Sequence, residues 1–254
     1  MGTAVIREAT AKGFQTVGAV EAEGNPCIGK TLRELGITDS DTRIVDADSI
    51  PEAAANADVY VTFTTPVAEV HNIPLAIASG KRIVIGTTGF TDEQCSQTRE
   101  AVQGKVPAVF SPNYSVGVNI LFQLATALKS FPQNYDFSIT EVHHTGKKDA
   151  PSGTATKLAE IIAGLRGYST VIHGRDGVSP RQPQELEIAA LRAGGVPGIH
   201  DLIIAGPYEM LRIEHVAFSR SVFAQGAVVA AEWLRKQTEP RIFSMQDVLG
   251  LTQR

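Results

Sequence analysis

The sequence predicts an α/β protein in which a doubly wound parallel sheet is followed by a smaller α+β domain. Three observations support this prediction. Over the first half of the chain, short apolar segments alternate with helix-like segments of roughly 10–15 residues, which is typical of βαβ units. The alternation ends near Asn113, where one long apolar helix is predicted. Residues 168–219 then carry several β-like segments separated by glycines, so we expect an open mixed or antiparallel sheet there.

The composition is that of an ordinary globular protein. Of 254 residues, 43% are hydrophobic and 20% are charged, which is too apolar a mixture for a disordered chain. The net charge of -4 gives no electrostatic reason to expect a nucleic acid or an anionic membrane as partner. No stretch approaches the roughly 18 apolar residues of a membrane span, and the start MGTAVIREATAKG lacks the pattern of a secretory signal. Cys27 and Cys95 form no CxxC pair, so we expect reduced thiols and a cytoplasmic protein.

The first half divides into three helices and four strands. A helix is predicted over TAVIREATAKG, ending at Gly13, and a buried strand over FQTVGAV, ending at Glu21. After an irregular polar stretch, ADVYVTFTT is a strand, and a helix follows over PVAEVHNIPLAIASG, opened by Pro66 and closed by Gly80. The third strand is KRIVIGTTG, the next helix is TDEQCSQTREAVQG with Thr91 as N-cap, and the fourth strand is VPAVFSPN. This order predicts a Rossmann-type layout.

The second half begins with a long helix over SVGVNILFQLATALKSF, an alternating strand over YDFSITEVHH and a helix over PSGTATKLAEIIAGLRG. Four β-like segments follow: TVIHGRDG, LEIAALRAGG, HDLIIAGP and EMLRIEHVAF. A final apolar helix, FAQGAVVAAEWLRKQ, is expected to pack back on the first domain. We therefore predict a dinucleotide-binding domain over residues 1–114 and 220–254, and a substrate-binding and oligomerisation domain over residues 115–219.

Three features fall at the carboxyl ends of predicted strands, where open α/β sheets bind ligands. Glu21 ends the strand FQTVGAVE and can accept hydrogen bonds from a ribose diol. Two polar segments end the third and fourth strands, and glycines in the first of them allow the backbone to approach a ligand closely. Each feature alone is a weak signal, and a solvated loop is the alternative for the first segment, but together they predict a dinucleotide crevice. The two segments consist of Gly86, Thr87, Thr88 and Gly89, and of Ser111, Pro112, Asn113 and Tyr114.

The most specific stretch is EVHHTGKKDAPSGTA, residues 141–155. Ser152 or Thr154 can cap the helix that starts there, and the free backbone N–H groups of such a helix start bind carboxylates or phosphates. The two lysines just upstream add positive charge, and His143 and His144 can supply protons near neutral pH. A solvated turn with a routine cap is the alternative. A metal site is not expected, because neighbouring histidines without the HExxH spacing do not make a ligand set.

These residues resemble the signature of the dihydrodipicolinate reductase (4-hydroxy-tetrahydrodipicolinate reductase) family. The stretch matches the family's paired histidines, a lysine three positions later and DAPSGTA. Four further segments are similar to family segments and follow in the same order: IGTTGF (85–90), PNYSVGVN (112–119), VPGIHD (196–201) and SRSVFAQGAVVAAEWL (219–234). The resemblance covers nearly the whole chain.

The resemblance implies an NAD(P)H-dependent reductase of lysine and diaminopimelate biosynthesis. Such an enzyme passes a hydride to a cyclic, dicarboxylated imine or its hydrated precursor and forms tetrahydrodipicolinate. His143 and Lys147 are implied as the proton-donor pair, which agrees with the need of imine reduction for a proton as well as a hydride. The resemblance further implies that the substrate carboxylates are held by His144, Ser152, Gly153 and Thr154. The implied cofactor residues are Gly86, Thr87, Thr88, Ser111, Pro112, Asn113 and Tyr114, with Glu21 on the adenosine ribose.

One departure from the family concerns the start of the chain. Family members begin with a strand and a G-x-x-G-x-x-G loop that holds the pyrophosphate, whereas MGTAVIREA is similar to the last glycine of that loop and the helix behind it. We therefore expect Gly2 to be that glycine and cofactor binding to be weak. Two alternatives stay open. One is a truncated, catalytically impaired oligomerising fragment of the family, and the other is a different Rossmann dehydrogenase of an amino-acid precursor, which DAPSGTA disfavours.

Cofactor preference and assembly complete the expectations. No basic residue follows Glu21 before Lys30, and the ribose phosphate of NADPH usually needs a nearby cation, so NADH is expected to be preferred. The apolar segments within residues 168–219 exceed what one covering helix buries, and an exposed apolar sheet face is normally an interface. Together with the resemblance, this predicts a homotetramer built through the second domain.

Overall fold

The computed structural model describes residues 1–251. The helices are α1 (Gly2–Ala11), α2 (Ile50–Ala54), α3 (Pro66–Ala78), α4 (Asp92–Val102), α5 (Val116–Ala127), α6 (Gly153–Arg166), α7 (Ser221–Leu234) and α8 (Met245–Val248). The strands are β1 (Ala19–Glu21), β2 (Ile44–Asp46), β3 (Val59–Thr62), β4 (Arg82–Ile85), β5 (Ala108–Phe110), β6 (Asp136–His143), β7 (Thr170–Ile172), β8 (Glu185–Arg192), β9 (Ile199–Ala205), β10 (Met210–Val216) and β11 (Ile242–Phe243).

The first compact unit contains Met1–Ser115 and the described residues from Phe223 onward. Its main sheet has four parallel strands in the order β11-β5-β4-β3. Successive residues of β4 point to opposite faces: Ile83 and Ile85 pack in a cluster with α3 and α4, whereas Val84 packs in a cluster with α7. Helices therefore cover both faces of a parallel sheet, which confirms the predicted Rossmann-type fold.

A second, two-stranded parallel sheet in this unit consists of β1 and β2. The predicted strand FQTVGAVE is shorter than expected, because only its last three residues pair with β2. Sequence reasoning missed β2 and α2, since two apolar residues between charged ones give no periodic signal and the strand depends on pairing with β1. Helix α1 connects the two sheets: Val5 packs in the cluster that contains Val84, and Ile6 packs in the cluster of β1 and β2.

The second unit comprises Val116–Val222, and the predicted domain boundaries lie within three residues of its ends. Its sheet has five strands in the order β10-β9-β6-β8-β7. Strand β9 runs antiparallel to β10 and β6, whereas β6, β8 and β7 are parallel, so the sheet is mixed as predicted. Alternate residues of β6, such as Phe137 and Ile139, pack in a cluster with α5 and α6. The opposite face of this sheet is not covered by a helix of the same unit.

Local signals set the helix ends, and those at Pro66, Thr91 and Ser152 are as predicted. Thr91 caps α4 in a capping box, Thr65 caps α3 ahead of Pro66, and Ser152 caps α6. Gly167 ends α6 in the left-handed conformation. Within residues 1–251, none of the helices has the length and apolar character needed to cross a bilayer.

Candidate active site

The carboxyl ends of three parallel strands meet at one edge of the first unit's main sheet. The register pairs Thr62 of β3 with Ile85 of β4, and Ile85 with Phe110 of β5. The segments that follow, including Gly86–Gly89 and Ser111–Tyr114, therefore leave the sheet side by side. This is the edge at which open α/β sheets bind nucleotides.

Glu69 of α3 ties these strand ends together from inside the unit. Its side chain has no exposed surface, and Oε1 accepts hydrogen bonds from the hydroxyls of Thr62 (2.7 Å), Thr64 (2.7 Å) and Thr87. The Thr87 hydroxyl in turn accepts a hydrogen bond from the Thr64 N–H at 2.8 Å. The hydroxyl of Thr87 is therefore occupied inside the protein. Contact between Thr87 and a cofactor stays a prediction, and it concerns the main chain of Thr87 only.

The two glycines of the segment after β4 are explained by different structural requirements. A Cβ on Gly86 would lie 2.1 Å from the ring of Phe63, so the packing of Phe63 requires glycine there. Gly89 has a φ of 84°, in the left-handed region that favours glycine. Thr88 and Gly89 are exposed at the edge of the sheet. They are the accessible part of this segment, and their contact with a cofactor stays a prediction.

Tyr114 is a core residue rather than an edge residue. Its hydroxyl lies 2.8 Å from the carbonyl oxygen of Ile85 and 2.9 Å from that of Val109. Its ring packs edge-on against Phe63, with 5.6 Å between the ring centroids, and burial raises the pKa of the phenol. The side chain therefore links β4 to β5, and only the main chain of Tyr114 is left to line a cofactor.

The other three residues of this segment form a turn. Ser111 is buried and donates its hydroxyl to the carbonyl oxygen of Asn113 at 2.9 Å. The side-chain oxygen of Asn113 accepts the N–H of Ser115 at 2.8 Å, and Pro112 is exposed. Contact between these three residues and a cofactor stays a prediction. Pro112 is the most exposed of the three.

Glu21 lies at the carboxyl end of β1, as predicted, with its side chain exposed. One carboxylate oxygen accepts the N–H of Ala22 at 3.2 Å and the amide of Asn25 at 3.1 Å, which leaves the other oxygen for a ligand hydroxyl. Gly2 is the first residue of α1, and a Cβ there would meet no described atom within 4 Å. The need for glycine at this position therefore stays a prediction.

The second unit holds a buried charged cluster at the end of β6. Glu141 has no exposed surface, and its carboxylate contacts Nδ1 of His143. Arg192 of β8 donates to both carboxylate oxygens at 3.1 and 3.0 Å, and the Ser152 N–H donates to Oε1 at 3.1 Å. Burial lowers the pKa of His143, and this effect outweighs Glu141, whose hydrogen bond and charge raise it.

Two further histidines lie beside His143. The ring of His200 stands edge-on to it with 5.0 Å between centroids, and His215 lies 6.4 Å beyond His200. Burial, together with the charge of neighbouring histidines, lowers the pKa of His200 to about 3, so this ring is neutral. Its Nε2 lies 3.0 Å from the Ser152 hydroxyl, which also accepts the Ala155 N–H at the start of α6. Despite this gathering, residues 1–251 contain no group of His, Cys, Asp or Glu side chains arranged to hold a metal ion.

The loop between β6 and α6 carries the remaining predicted residues. The ammonium of Lys147 lies 2.7 and 2.9 Å from the two carboxylate oxygens of Asp149. Burial tends to raise the pKa of Asp149, but the hydrogen bond and charge of Lys147 outweigh it and the net shift is downward. His144 lies past the end of β6, and its Nε2 is 3.1 Å from the guanidinium of Arg220. His143 is thus the last residue of β6, and His144 and Lys147 follow it in the loop.

Sequence reasoning missed four members of this cluster: Glu141, Arg192, His200 and Arg220. Glu141 carried a usable signal, because residues two apart on a strand share a face and Glu141 precedes His143 by two. The others come from distant strands and a helix start, and only the sheet register and the packing of the unit bring them in. Among the predicted residues, the structure groups His143, Lys147 and Ser152 around this cluster, and Gly153 and Thr154 open α6 beside them.

Comparison with known proteins gives consistent matches. The family model described as dihydrodipicolinate reductase, N-terminus, matches residues 1–114, and the one described as its C-terminus matches residues 117–249. A protein of Methanosarcina mazei named 4-hydroxy-tetrahydrodipicolinate reductase is 42% identical over 99% of this chain and 95% of its own length. Its Methanosarcina barkeri counterpart is 45% identical over 86% of this chain and 81% of its own length.

Solved structures agree on the fold. Dipicolinate-bound dihydrodipicolinate reductase from Paenisporosarcina sp. TG-14 superposes with a TM-score of 0.69 at 24% identity, covering 96% of this chain and 93% of that chain. Amine dehydrogenase from Mycobacterium smegmatis superposes with a TM-score of 0.65 at 13% identity, covering 96% and 92%. At these identities the likeness concerns the fold alone.

Proposed function

The chain belongs to the dihydrodipicolinate reductase family, and we propose that it reduces 4-hydroxy-tetrahydrodipicolinate at the cluster around His143. It is an NAD(P)H-dependent oxidoreductase of lysine and diaminopimelate biosynthesis. When bound, the dihydronicotinamide supplies the hydride. The protein's own residues must hold a dianionic substrate and deliver a proton to it.

The observation that carries the proposal is the pairing of His143 with Lys147 beside the start of α6. A proton donor needs a group that can carry and release a proton, and the ring of His143 is such a group. Lys147, paired with Asp149, keeps its ammonium near enough to His143 for its charge to act on the ring. These contacts support the assignment of His143 and Lys147 as the catalytic pair.

The substrate carboxylates are proposed to lie at the amino-terminal end of α6, a helix of fourteen residues. The start of a helix favours anions through the positive end of the helix dipole. Gly153 and Thr154 form this start, while Ser152 holds it in shape through its cap and its contact with His200. His144 and Arg220 supply the second anion site, since the guanidinium of Arg220 is held against His144.

The cofactor is proposed to lie on the edge formed by Glu21, Thr88, Gly89 and Pro112. Glu21 keeps one carboxylate oxygen for a ribose hydroxyl, and no Lys or Arg follows it in the sequence before Lys30. We therefore propose NADH as the preferred cofactor, by roughly tenfold in kcat/KM, because an acidic group repels a ribose phosphate. Steady-state kinetics with NADH and NADPH measure this, and a preference for NADPH would contradict it.

Assembly is proposed to use the open face of the five-stranded sheet. Along one row across four strands this face carries Leu191, Val142, Ile199 and Val216. Leu191 and Val216 are exposed, and an exposed apolar sheet face is normally an interface. A homotetramer in the cytoplasm is therefore proposed, and light scattering at micromolar concentration tests it, a monomer being the contrary result.

The experiment that tests the proposed function replaces His143 or Lys147 by Ala. Turnover is expected to fall by about 100-fold or more, a usual scale for general acid catalysis. NADH affinity, measured by fluorescence, is expected to stay within about twofold, because neither residue lies at the cofactor edge. Turnover like that of the wild type in both variants would remove this cluster from the reaction.

A further inference from the structure

We propose that Glu141 is the positioning residue of the proton donor His143, and that Arg192 limits how strongly Glu141 acts on it. The proposal rests on the proposed function, since it takes His143 as the group that delivers the proton. It concerns which nitrogen of the ring carries that proton and at which pH it is present.

The partners of Glu141 decide the state of its carboxyl group. The guanidinium of Arg192 and the N–H of Ser152 can only donate hydrogen bonds, and together they occupy both oxygens. A carboxyl group that accepts on both oxygens beside a guanidinium is a carboxylate. The short contact to His143 is then donated by Nδ1–H, which assigns one proton of the ring to Nδ1.

With Nδ1 committed to Glu141, Nε2 is the atom that can exchange a proton with the substrate. Within residues 1–251 it has no hydrogen-bond partner, and a Cβ on Gly198 would lie 3.1 Å from it. Glycine at this position therefore leaves space over Nε2. The neutral ring of His200 stands edge-on to His143 and restricts its rotation without adding a charge.

The proton step leaves Glu141 unchanged. The N–H bond at Nε2 of protonated His143 breaks, its proton passes to the substrate, and the ring becomes neutral with its other proton still on Nδ1. The electron pair of the reduction arrives as the hydride of the cofactor. Glu141 accepts the Nδ1–H bond throughout, so it favours the protonated ring by its charge and fixes the ring's orientation.

Charges around His143 act in both directions. Glu141 raises its pKa, while Arg192 and Lys147 lower it. Asp149 lies behind Lys147, and the rings of His200 and His215 complete the surroundings. Removing Glu141's charge must therefore lower the pKa of His143, and removing Arg192's charge must raise it. If Glu141 and Arg192 served only to hold the sheet together, the two substitutions would not shift the pKa of His143 in opposite directions.

The test compares Glu141→Gln with Arg192→Gln in the full chain, by the pH profile of kcat. Activity needs protonated His143, so it falls as pH rises through the pKa of that ring. In Glu141→Gln we expect turnover to fall roughly 10- to 100-fold, and this alkaline fall to move to lower pH by about one unit. In Arg192→Gln the alkaline fall is expected to move to higher pH. Glu187→Gln, which breaks the ion pair with Arg175 in the same sheet, is the control and should keep the wild-type profile.

Three results decide the matter. Shifts of opposite sign, with NADH affinity within about twofold of wild type, support the proposal. An unchanged profile in both variants, or shifts of the same sign, would overturn it, and Arg192→Gln alone decides by its sign if Glu141→Gln does not fold. The proposed function is tested separately: wild-type turnover in both His143→Ala and Lys147→Ala would remove this cluster from the reaction, whatever the result for Glu141→Gln.

Discussion

Each unit buries one glutamate completely, and the two carboxyl groups are used in opposite ways. Glu69 in the first unit accepts three threonine hydroxyls on one oxygen, while its other oxygen is buried with no hydrogen-bond partner among the described residues. Glu141 in the second unit has donors on both oxygens, one of them the guanidinium of Arg192. One carboxyl group connects strand ends through neutral partners, whereas the other connects a cation to a titrating ring.

The different partners of Glu69 and Glu141 suit two different requirements of a reductase, a fixed binding surface and a group that exchanges a proton. Hydroxyl groups do not change charge near neutral pH, so the partners of Glu69 hold the strand ends together without adding a charge of their own. The network of Glu141 contains His143, and its electrostatics change whenever that ring gains or loses a proton. Changes in the first unit should therefore act on cofactor affinity and stability, and changes in the second on turnover and its pH dependence.

The largest expected effect comes from adding a strand to join the first unit's two sheets. The second unit has one continuous five-stranded sheet, but β1–β2 and β3–β4–β5–β11 are separate sheets that share α1 as a cover. An extension ahead of Gly2 that supplies one parallel strand and a glycine-rich loop should add about four backbone hydrogen bonds, or about 4 kcal/mol. A rise in Tm of about 10 °C follows for a protein of this size, with tighter NADH binding.

Calorimetry and NADH titration of the extended and original chains measure this. An extension of equal length made only of glycine and serine is the matched control and should change neither quantity. If the original chain already binds NADH at micromolar levels, the expectation of weak cofactor binding is wrong.

The next effect concerns Glu69. Replacement by Ala leaves the hydroxyls of Thr62, Thr64 and Thr87 without their acceptor, at a cost of about 2–3 kcal/mol in the free energy of unfolding. NADH affinity should fall about tenfold, because the segment after β4 loses its anchor, while kcat at saturating NADH should stay near wild type. Glu69→Gln keeps one acceptor oxygen and should recover most of both losses.

Denaturant unfolding and fluorescence titration give the two quantities. A large loss of kcat at saturating NADH in Glu69→Ala, with affinity unchanged, would contradict the division between the units.

A pH effect on stability should come from His200 in the second unit. Its pKa of about 3 in the folded protein lies below the roughly 6.5 of an unperturbed histidine, so the unfolded chain binds its proton first as pH falls. The stability that the neutral ring contributes is therefore complete above about pH 6.5 and declines below it. At pH 5 the expected loss from this residue is about 2 kcal/mol.

Urea unfolding at pH 7.5 and pH 5 measures this for the wild type and for His200→Gln, whose amide can still reach the Ser152 hydroxyl. The variant should lose about 2 kcal/mol less than the wild type between the two pH values. An equal loss in both would mean that His200 is protonated in the folded protein at pH 5.

The smallest effect concerns Thr154 at the start of α6. Thr154→Val keeps the shape of the side chain and removes its hydroxyl, so binding of a planar pyridine dicarboxylate should weaken by about 1–2 kcal/mol. Inhibition kinetics measure the change, and NADH affinity is the internal control. An unchanged inhibition constant would take the Thr154 hydroxyl out of the substrate site.

Much of the fold was predictable because its signals are local. The apolar segments of α3, α5 and α6, the opening of α3 at Pro66, the cap of α6 at Ser152 and the alternation along β6 all lie within short segments, and the structure confirms them. Strands β2 and β11 were not predictable in this way. Each is two or three residues long, and each exists because it pairs with a strand far away in the chain.

The site divides similarly. The sequence by itself determined the stretch of residues 141–155, its family and the helix start that follows, since these depend on neighbouring residues. Only the tertiary structure decided that Glu141 faces Arg192, fifty-one residues further on, and that His200 stands beside His143. It also decided that Gly86 makes room for Phe63. The physical reason is that burial and charge depend on which strands become neighbours, and strand register is a property of the whole sheet.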